Sequence, residues 1–432
     1  MLLLILVNCN RQVRVEHSTL EDHTITPRNS IPIDKDQISR TMADYSKLPN
    51  GVMLDVKPFT AHVSDEKLQH FKDLLRLSPI GPAVFENNGT TGRKFGTQRE
   101  WLSNTKDYWL NTFDWRKHEE RFNSYPQFTA KVKDSEGYEL DIHFLALFSQ
   151  KSDAVPLAFY HGWPGSFVEF LDLVDLLKKK YSPKDLPYHV IVPSLPGYAY
   201  SSGPPQDSDY STDRAANALN NLMLGLGFGS GYLAQGGDIG SMISRLLAGK
   251  YDACKGMHLN MIAGPPPPNK DELEITELEK AGVAKGQEFF DTGFAYGIEH
   301  GTRAGTIGLA LSSSPLALLS WVGEKFLEWT DEDPPLDKIL EDVTLYWMTE
   351  TFPRCIYPYR GNAPAKDESP KIFRLNVMKN RSARDLPPKV QKPCGYSYFA
   401  KELFPTPKTW AEQQMNVVAF GRHEKGGHFA VS

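Results

Sequence analysis

Cysteine is scarce here, with four residues in 432, at positions 9, 254, 355 and 394. They are widely scattered, form no C-x-x-C and pair with no histidine at zinc spacing, which argues against a disulfide framework or a zinc site and for a reducing compartment. Neither sign of charge dominates. Lys+Arg 48 against Asp+Glu 53 leaves a net −5, whereas a nucleic-acid-binding domain is usually basic. Long hydrophobic runs are also missing. The opening MLLLILV is apolar for seven residues before Asn8, Asn10 and Arg11, far short of the roughly 20 a membrane span needs. It has no basic stretch ahead of it and no small-residue cleavage site behind it. We read it as a disordered start or a gene-model artefact, with a weak secretion signal as the alternative to a cytoplasmic location. Internal repeats, metal clusters and phosphate-cradling loops are absent, so no cofactor, metal or nucleic-acid partner is expected.

What is present is an ordinary globular composition, 40% hydrophobic and 23% charged, in a chain long enough for a sizeable core. Aromatics reach 11%, with 18 Tyr and 8 Trp, which suits a concave apolar pocket. Residues 1–45 read as a loose arm. Residues 46–127 read as a helical meander: Ser64 caps a stretch with Leu68, Phe71, Leu74 and Leu75 on one face, and further helices are expected around Trp101–Trp109 and from Asp114. At Phe128 the period changes to two. Strands are expected at Phe128–Val132 and Leu140–Leu145, then at Val155–Tyr160, Tyr188–Pro193, Tyr232–Gln235 and Met257–Ile262. Helical stretches separate the later ones, at Phe167–Lys180, Asp213–Leu226 and Ser241–Gly249. This alternation predicts an α/β fold whose mostly parallel central sheet has helices on both faces. Residues 128–264 form its first part. A helical block at 265–370, opened by the stiff Gly264–Pro268 connector and broken at Ser312–Pro315, reads as an inserted lid. The sheet resumes in 371–432, with strands expected at Lys371–Val377, Tyr396–Ala400 and Asn416–Phe420.

The sharpest chemical signal is Gly236-Gly237-Asp238-Ile239-Gly240, between a strand and a helix. Small residues at −2 and +2 permit the strained turn of a nucleophile elbow. The exposed residue is Asp, whose carboxylate needs no base to attack an sp³ carbon and form an ester. The bland reading of the same residues is a glycine turn with Asp as a helix cap. Upstream, Leu157–Ser166 ends an apolar strand in His161-Gly162-Trp163-Pro164, where this architecture places an oxyanion donor. The backbone N–H groups of Trp163 and Ile239 are the candidates, and His161 reads as a structural hydrogen-bonding residue. A late loop, Gly421–Phe429, carries two histidines; His428 is the expected base and His423 its rival. Glu402, after the Tyr396–Ala400 strand, is the expected acid that orients it, with Asp385 as the alternative.

In this order the motifs resemble epoxide hydrolases of the microsomal class in the α/β-hydrolase superfamily, most like the soluble fungal-type members. The resemblance runs from about Lys57 to Ala430. It rests on Trp115-Arg116, His161–Ser166, Pro193–Tyr198, Gly236–Gly240, Tyr296–Arg303, Ser314-Pro315, Trp321–Lys325 and Gly426–Phe429. It implies conversion of a small-molecule epoxide to a vicinal diol through a covalent aspartyl ester. It also implies two lid tyrosines that grip the epoxide oxygen, matched here by Tyr296 and Tyr359, with Tyr357 as a competitor. A phenol of pKa about 10 suits the task, since it can protonate an emerging alkoxide. A homodimer through the lid and the N-terminal meander is a further implication. The family pattern continues beyond the histidine into a closing helix, whereas Ser432 comes four residues after His428. Mis-predicted exons would account for both ends, and a chain truly ending there would leave the histidine loop short of packing support. Two other readings stay open: a haloalkane dehalogenase or ester hydrolase on the same elbow, and an inactive hydrolase fold kept for binding.

Overall fold

Apolar runs that alternate with amphipathic helices can bury both faces of a sheet, and here they do. The computed structural model describes residues 45–362 and 389–429. Strands β1 (Val56–Pro58), β2 (Gln127–Lys133), β3 (Glu139–Leu147), β4 (Val155–Tyr160) and β5 (Tyr188–Pro193) are followed by β6 (Tyr232–Gly236), β7 (Cys254–Leu259), β8 (Val390–Phe399) and β9 (Met415–His423). They form one sheet in the order β1-β2-β3-β5-β4-β6-β7-β8-β9. The first three pairings are antiparallel and the other five parallel. β5 is buried along its whole length, as a strand covered on both faces must be.

Before β2 come helices α1 (Asp65–Leu77), α2 (Arg99–Asn111) and α3 (Trp115–Asn123). Ser64 and Asp114 cap α1 and α3 by accepting backbone N–H bonds. α4 (Leu171–Lys180), α5 (Thr212–Met223) and α6 (Asp238–Lys250) cross between the parallel strands. Between β7 and β8 lies a helical cap: α7 (Glu277–Glu288), α8 (Ala295–Thr302), α9 (Ala304–Leu311), α10 (Pro315–Glu328), α11 (Leu336–Met348) and α12 (Phe352–Cys355). α9 and α10 meet at 116°, the break that Ser312–Pro315 announces. α13 (Lys408–Gln414) precedes β9.

Three local expectations change. β1 belongs to the sheet although its three residues carry no readable period; it pairs with β2 from Val56↔Ala130 to Pro58↔Phe128. β7 begins and ends three residues earlier than the apolar run Met257–Ile262, because Asn260 turns inward to accept a hydrogen bond from Gln235 at 3.2 Å. The strand expected at Lys371–Val377 and the alternative acid Asp385 lie outside the described residues.

α5 is tied to the β2–β3 turn by a buried ion pair, Arg214 to Asp134 at 2.7 Å, with side chains 7% and 0% exposed. Removing one partner of such a pair strands the other charge. Arg214→Leu should therefore lower stability by about 3–5 kcal/mol, seen as a lower urea midpoint, and adding Asp134→Asn, which removes the charge but keeps the oxygen that accepts the Glu136 and Tyr138 N–H groups, should recover part of the loss.

Candidate active site

Tyr160 pairs with Gly236 at the carboxyl ends of the parallel strands β4 and β6. Their onward connections diverge, since β5 lies beside β4 on the side away from β6. Open α/β sheets bind ligands in the crevice at such a switch point. The turn after β6 is tight. A Cβ on Gly240 would lie 1.9 Å from the Tyr160 carbonyl oxygen, and one on Gly236 would lie 2.1 Å from the Gly240 carbonyl oxygen. With that closure, Asp238 is held at φ +46°, a conformation that costs a non-glycine residue of order 1–3 kcal/mol.

Asp238 does not cap the helix. The N-cap of α6 is Gly237, without a side-chain cap bond. The carboxylate turns instead toward the loop after β4, where the Trp163 N–H donates to its Oδ1 at 2.7 Å. Ile239 follows it in the first turn of α6 and is buried. The N-terminal position of both residues favours negative charge.

On the other side of the carboxylate, His428 Nε2 lies 3.4 Å from Asp238 Oδ2. Its Nδ1 donates to Glu402 Oε1 at 2.7 Å, with both side chains 2% exposed. The Leu403 N–H also donates to that oxygen at 2.6 Å. Burial works against a charged His428 ring, but Glu402 and Asp238 outweigh it and push the imidazole up to about 10. The rival His423 stacks on Phe399 at 4.6 Å instead. His161 accepts from the Leu195 N–H at 3.1 Å, and burial lowers it to about 4, as befits a neutral structural residue.

The histidine loop is anchored to the end of α10. The His428 N–H donates to the Trp329 carbonyl at 2.9 Å, the Gly426 N–H donates to Asp331 Oδ2 at 2.8 Å, and Phe429 stacks on Phe326 at 4.7 Å.

The cap also supplies the tyrosines. Tyr296, on α8, and Tyr359 line a cavity of about 70 Å³ with Asp238, Ile239 and an apolar wall that includes Phe289, Phe290 and Phe294. Tyr296 stacks on Trp163 at 5.1 Å, and the two phenol rings lie 5.8 Å apart. Burial raises both hydroxyls well above the ordinary tyrosine value, and the Asp238 charge adds to this, so both keep their protons. Tyr357 packs edge-on against Tyr210 at 5.0 Å and does not line the cavity.

Comparison with known proteins matches this arrangement. The epoxide hydrolase N-terminus model covers residues 56–170, and the alpha/beta hydrolase fold model covers residues 155–302. A Dothistroma septosporum protein named a presumed epoxide hydrolase is 50% identical over 392 residues, 90% of this chain and 89% of its own. The chain belongs to the epoxide hydrolase family. The Aspergillus niger epoxide hydrolase structure, 46% identical, matches with a TM-score of 0.79 over 90% of this chain and 94% of its own. The Bombyx mori juvenile hormone epoxide hydrolase structure, 25% identical, matches at 0.72 over 88% and 91%. The expected α/β-hydrolase fold is therefore present, and the protein is an epoxide hydrolase.

Several residues of this epoxide hydrolase's site escape a reading of motifs. Lys325 Nζ sits 4.7 Å over the Tyr296 ring. His300 accepts the Trp321 indole N–H at 3.0 Å. Glu169 and Gln235 stand near Asp238 and His428. His300 and Lys325 lay within the motif strings Tyr296–Arg303 and Trp321–Lys325 without a role of their own, and Glu169 and Gln235 had only a helical or strand position to signal them. The coupling of His428 to Asp238 has a definite sign. Because the Asp238 charge favours the protonated ring, Asp238→Asn should lower the His428 pKa below about 10, which NMR titration of the ring would read directly.

Proposed function

We propose that the enzyme opens its epoxide in two steps with Asp238 as nucleophile. The observation that carries this reading is the carboxylate itself, which accepts the Trp163 N–H at 2.7 Å and shares a cavity with Tyr296 and Tyr359. Asp238 attacks one ring carbon, the ring C–O bond breaks, and a tyrosine hydroxyl protonates the departing oxygen. The product is a hydroxyalkyl ester of Asp238.

Ester formation removes one of the two carboxylate charges that hold a proton on His428. The proton it releases replaces the one the tyrosine gave, and the imidazole becomes a neutral base. Oriented by Glu402, His428 then takes a proton from water while the oxygen adds to the ester carbonyl. The N–H groups of Trp163 and Ile239 hold the oxyanion. Collapse expels the diol and restores the Asp238 carboxylate and the His428 imidazolium.

Dehalogenation fits less well. Ile239, beside the nucleophile, offers no side-chain donor to a halide, and the phenols that face Asp238 supply protons a halide does not need. The described cysteines, Cys254, Cys355 and Cys394, are free and buried, in keeping with a reducing, cytoplasmic location. Among the described residues no single helix is long and apolar enough to cross a membrane. A homodimer through the cap and N-terminal helices would cover the exposed Leu77 and Leu309.

Asp238→Ala should abolish diol formation in a folded protein. In heavy-oxygen water, the diol of a single wild-type turnover should carry an unlabelled oxygen from Asp238, with label left in the carboxylate. A diol labelled directly from solvent would overturn the mechanism. Tyr296→Phe with Tyr359→Phe should slow ester formation by roughly 10²–10⁴-fold, measured in single turnovers.

A further inference from the structure

A second cavity lies behind the nucleophile. It measures about 20 Å³, room for one water molecule. Asp238 and His428 line it together with Tyr160, Glu169, Gln235 and Asn260. Asp238 is the one residue it shares with the tyrosine-lined cavity. The carboxyl group therefore stands between two chambers, an apolar one with two phenols and a small polar one with the histidine.

The polar chamber has hydrogen-bonding capacity to spare. Gln235 Oε1 is buried without a hydrogen-bond partner among the described residues, although such an atom normally has one. Gln235 is held in place through its amide nitrogen, which donates to Asn260 at 3.2 Å. Glu169 reaches the chamber from the single helical turn Phe167–Phe170. It does so by folding back over Gly165, where a Cβ would lie only 1.4 Å from its Oε1. Enclosure and the nearby Asp342 hold the Glu169 carboxyl well above the usual range, so it adds no further negative charge beside Asp238.

We infer that this chamber is the seat of the hydrolytic water, and that Glu169 and Gln235 are positioning residues for the second step. The inference rests on the aspartyl-ester reading. One water proton faces His428, which accepts it. The other is held by Gln235 Oε1 and the unprotonated oxygen of the Glu169 carboxyl group. The water oxygen is thereby left with a lone pair toward the ester carbon. Water is kept on the histidine side, and the phenol side stays free for the epoxide.

The test uses the whole enzyme with styrene oxide, as Glu169→Leu and, separately, Gln235→Met, each of which removes the acceptor oxygen and keeps much of the side chain's bulk. Stopped-flow fluorescence would follow ester formation and decay, and intact-mass measurement would count the adduct. Ester formation should stay within about twofold of wild type. Hydrolysis should slow by about tenfold or more, the worth of a buried hydrogen bond. kcat and KM should then fall together, with kcat/KM unchanged and the adduct accumulating. If kcat/KM falls as far as kcat, or if neither variant slows hydrolysis, the water seat is wrong. Should Glu169→Leu fail to fold, Gln235→Met alone decides the matter. A His428→Gln control separates the two readings: absence of any adduct there overturns the aspartyl ester itself, whereas an adduct there with normal hydrolysis in both chamber variants overturns only the water seat.

Discussion

Tyr160 and Gly236 face each other across β4 and β6, and the chain after β6 passes so close to the Tyr160 carbonyl that residue 240 has no room for a Cβ. The reaction centre depends on that closeness. It forces Asp238 into a left-handed conformation and lifts its carboxylate away from the helix it begins. It also sets the Trp163 N–H against that carboxylate at 2.7 Å. The strain is local, while the burial that opposes it is spread over a whole sheet. A conformation costing of order 1–3 kcal/mol can persist at one residue because the register of two buried strands leaves no alternative.

The electrostatics follow from the same placement. His428 lies between two carboxylates in a buried site, where charges act more strongly than in water. On the proposed mechanism Glu402 keeps its charge throughout, whereas Asp238 loses its own on becoming an ester. The imidazole's proton affinity is thus linked to the covalent state of the nucleophile. On the proposed course the ring is charged while the enzyme is free and becomes a base once the ester exists, without any movement of the ring. The tyrosines need the opposite condition. Enclosed by Trp163, Trp329 and each other, they retain protons that an alkoxide can take.

The cap does more than roof the cavity. Trp329, at the end of α10, receives the His428 N–H through its carbonyl and packs its ring against His428 and Tyr296. One residue of the cap therefore touches both the acid side and the base side of the chemistry. On the proposed mechanism, displacing α10 would disturb the two steps together, which makes cap position and catalytic alignment one variable.

Much of this was legible in the sequence. Strand and helix periods near β2–β6 read correctly because both faces of those elements are buried and the pattern has no competing signal. Gly236–Gly240 and Gly426–Phe429 stood out because strained turns and tight loops demand particular small residues. β1 did not, since three residues carry no period, and β7 was read three residues late because Asn260, not hydrophobicity, ends it. The sequence by itself determined the residue types at the centre, a carboxylate in an elbow and a histidine in a late glycine loop, together with the α/β alternation that would bring strand ends together. Only the tertiary structure decided which histidine of two meets Asp238, which of the neighbouring tyrosines faces it, and that Glu169 and Gln235 lie behind it. Those choices depend on the packing of segments tens to hundreds of residues apart, and short-range patterns hold no record of such distances.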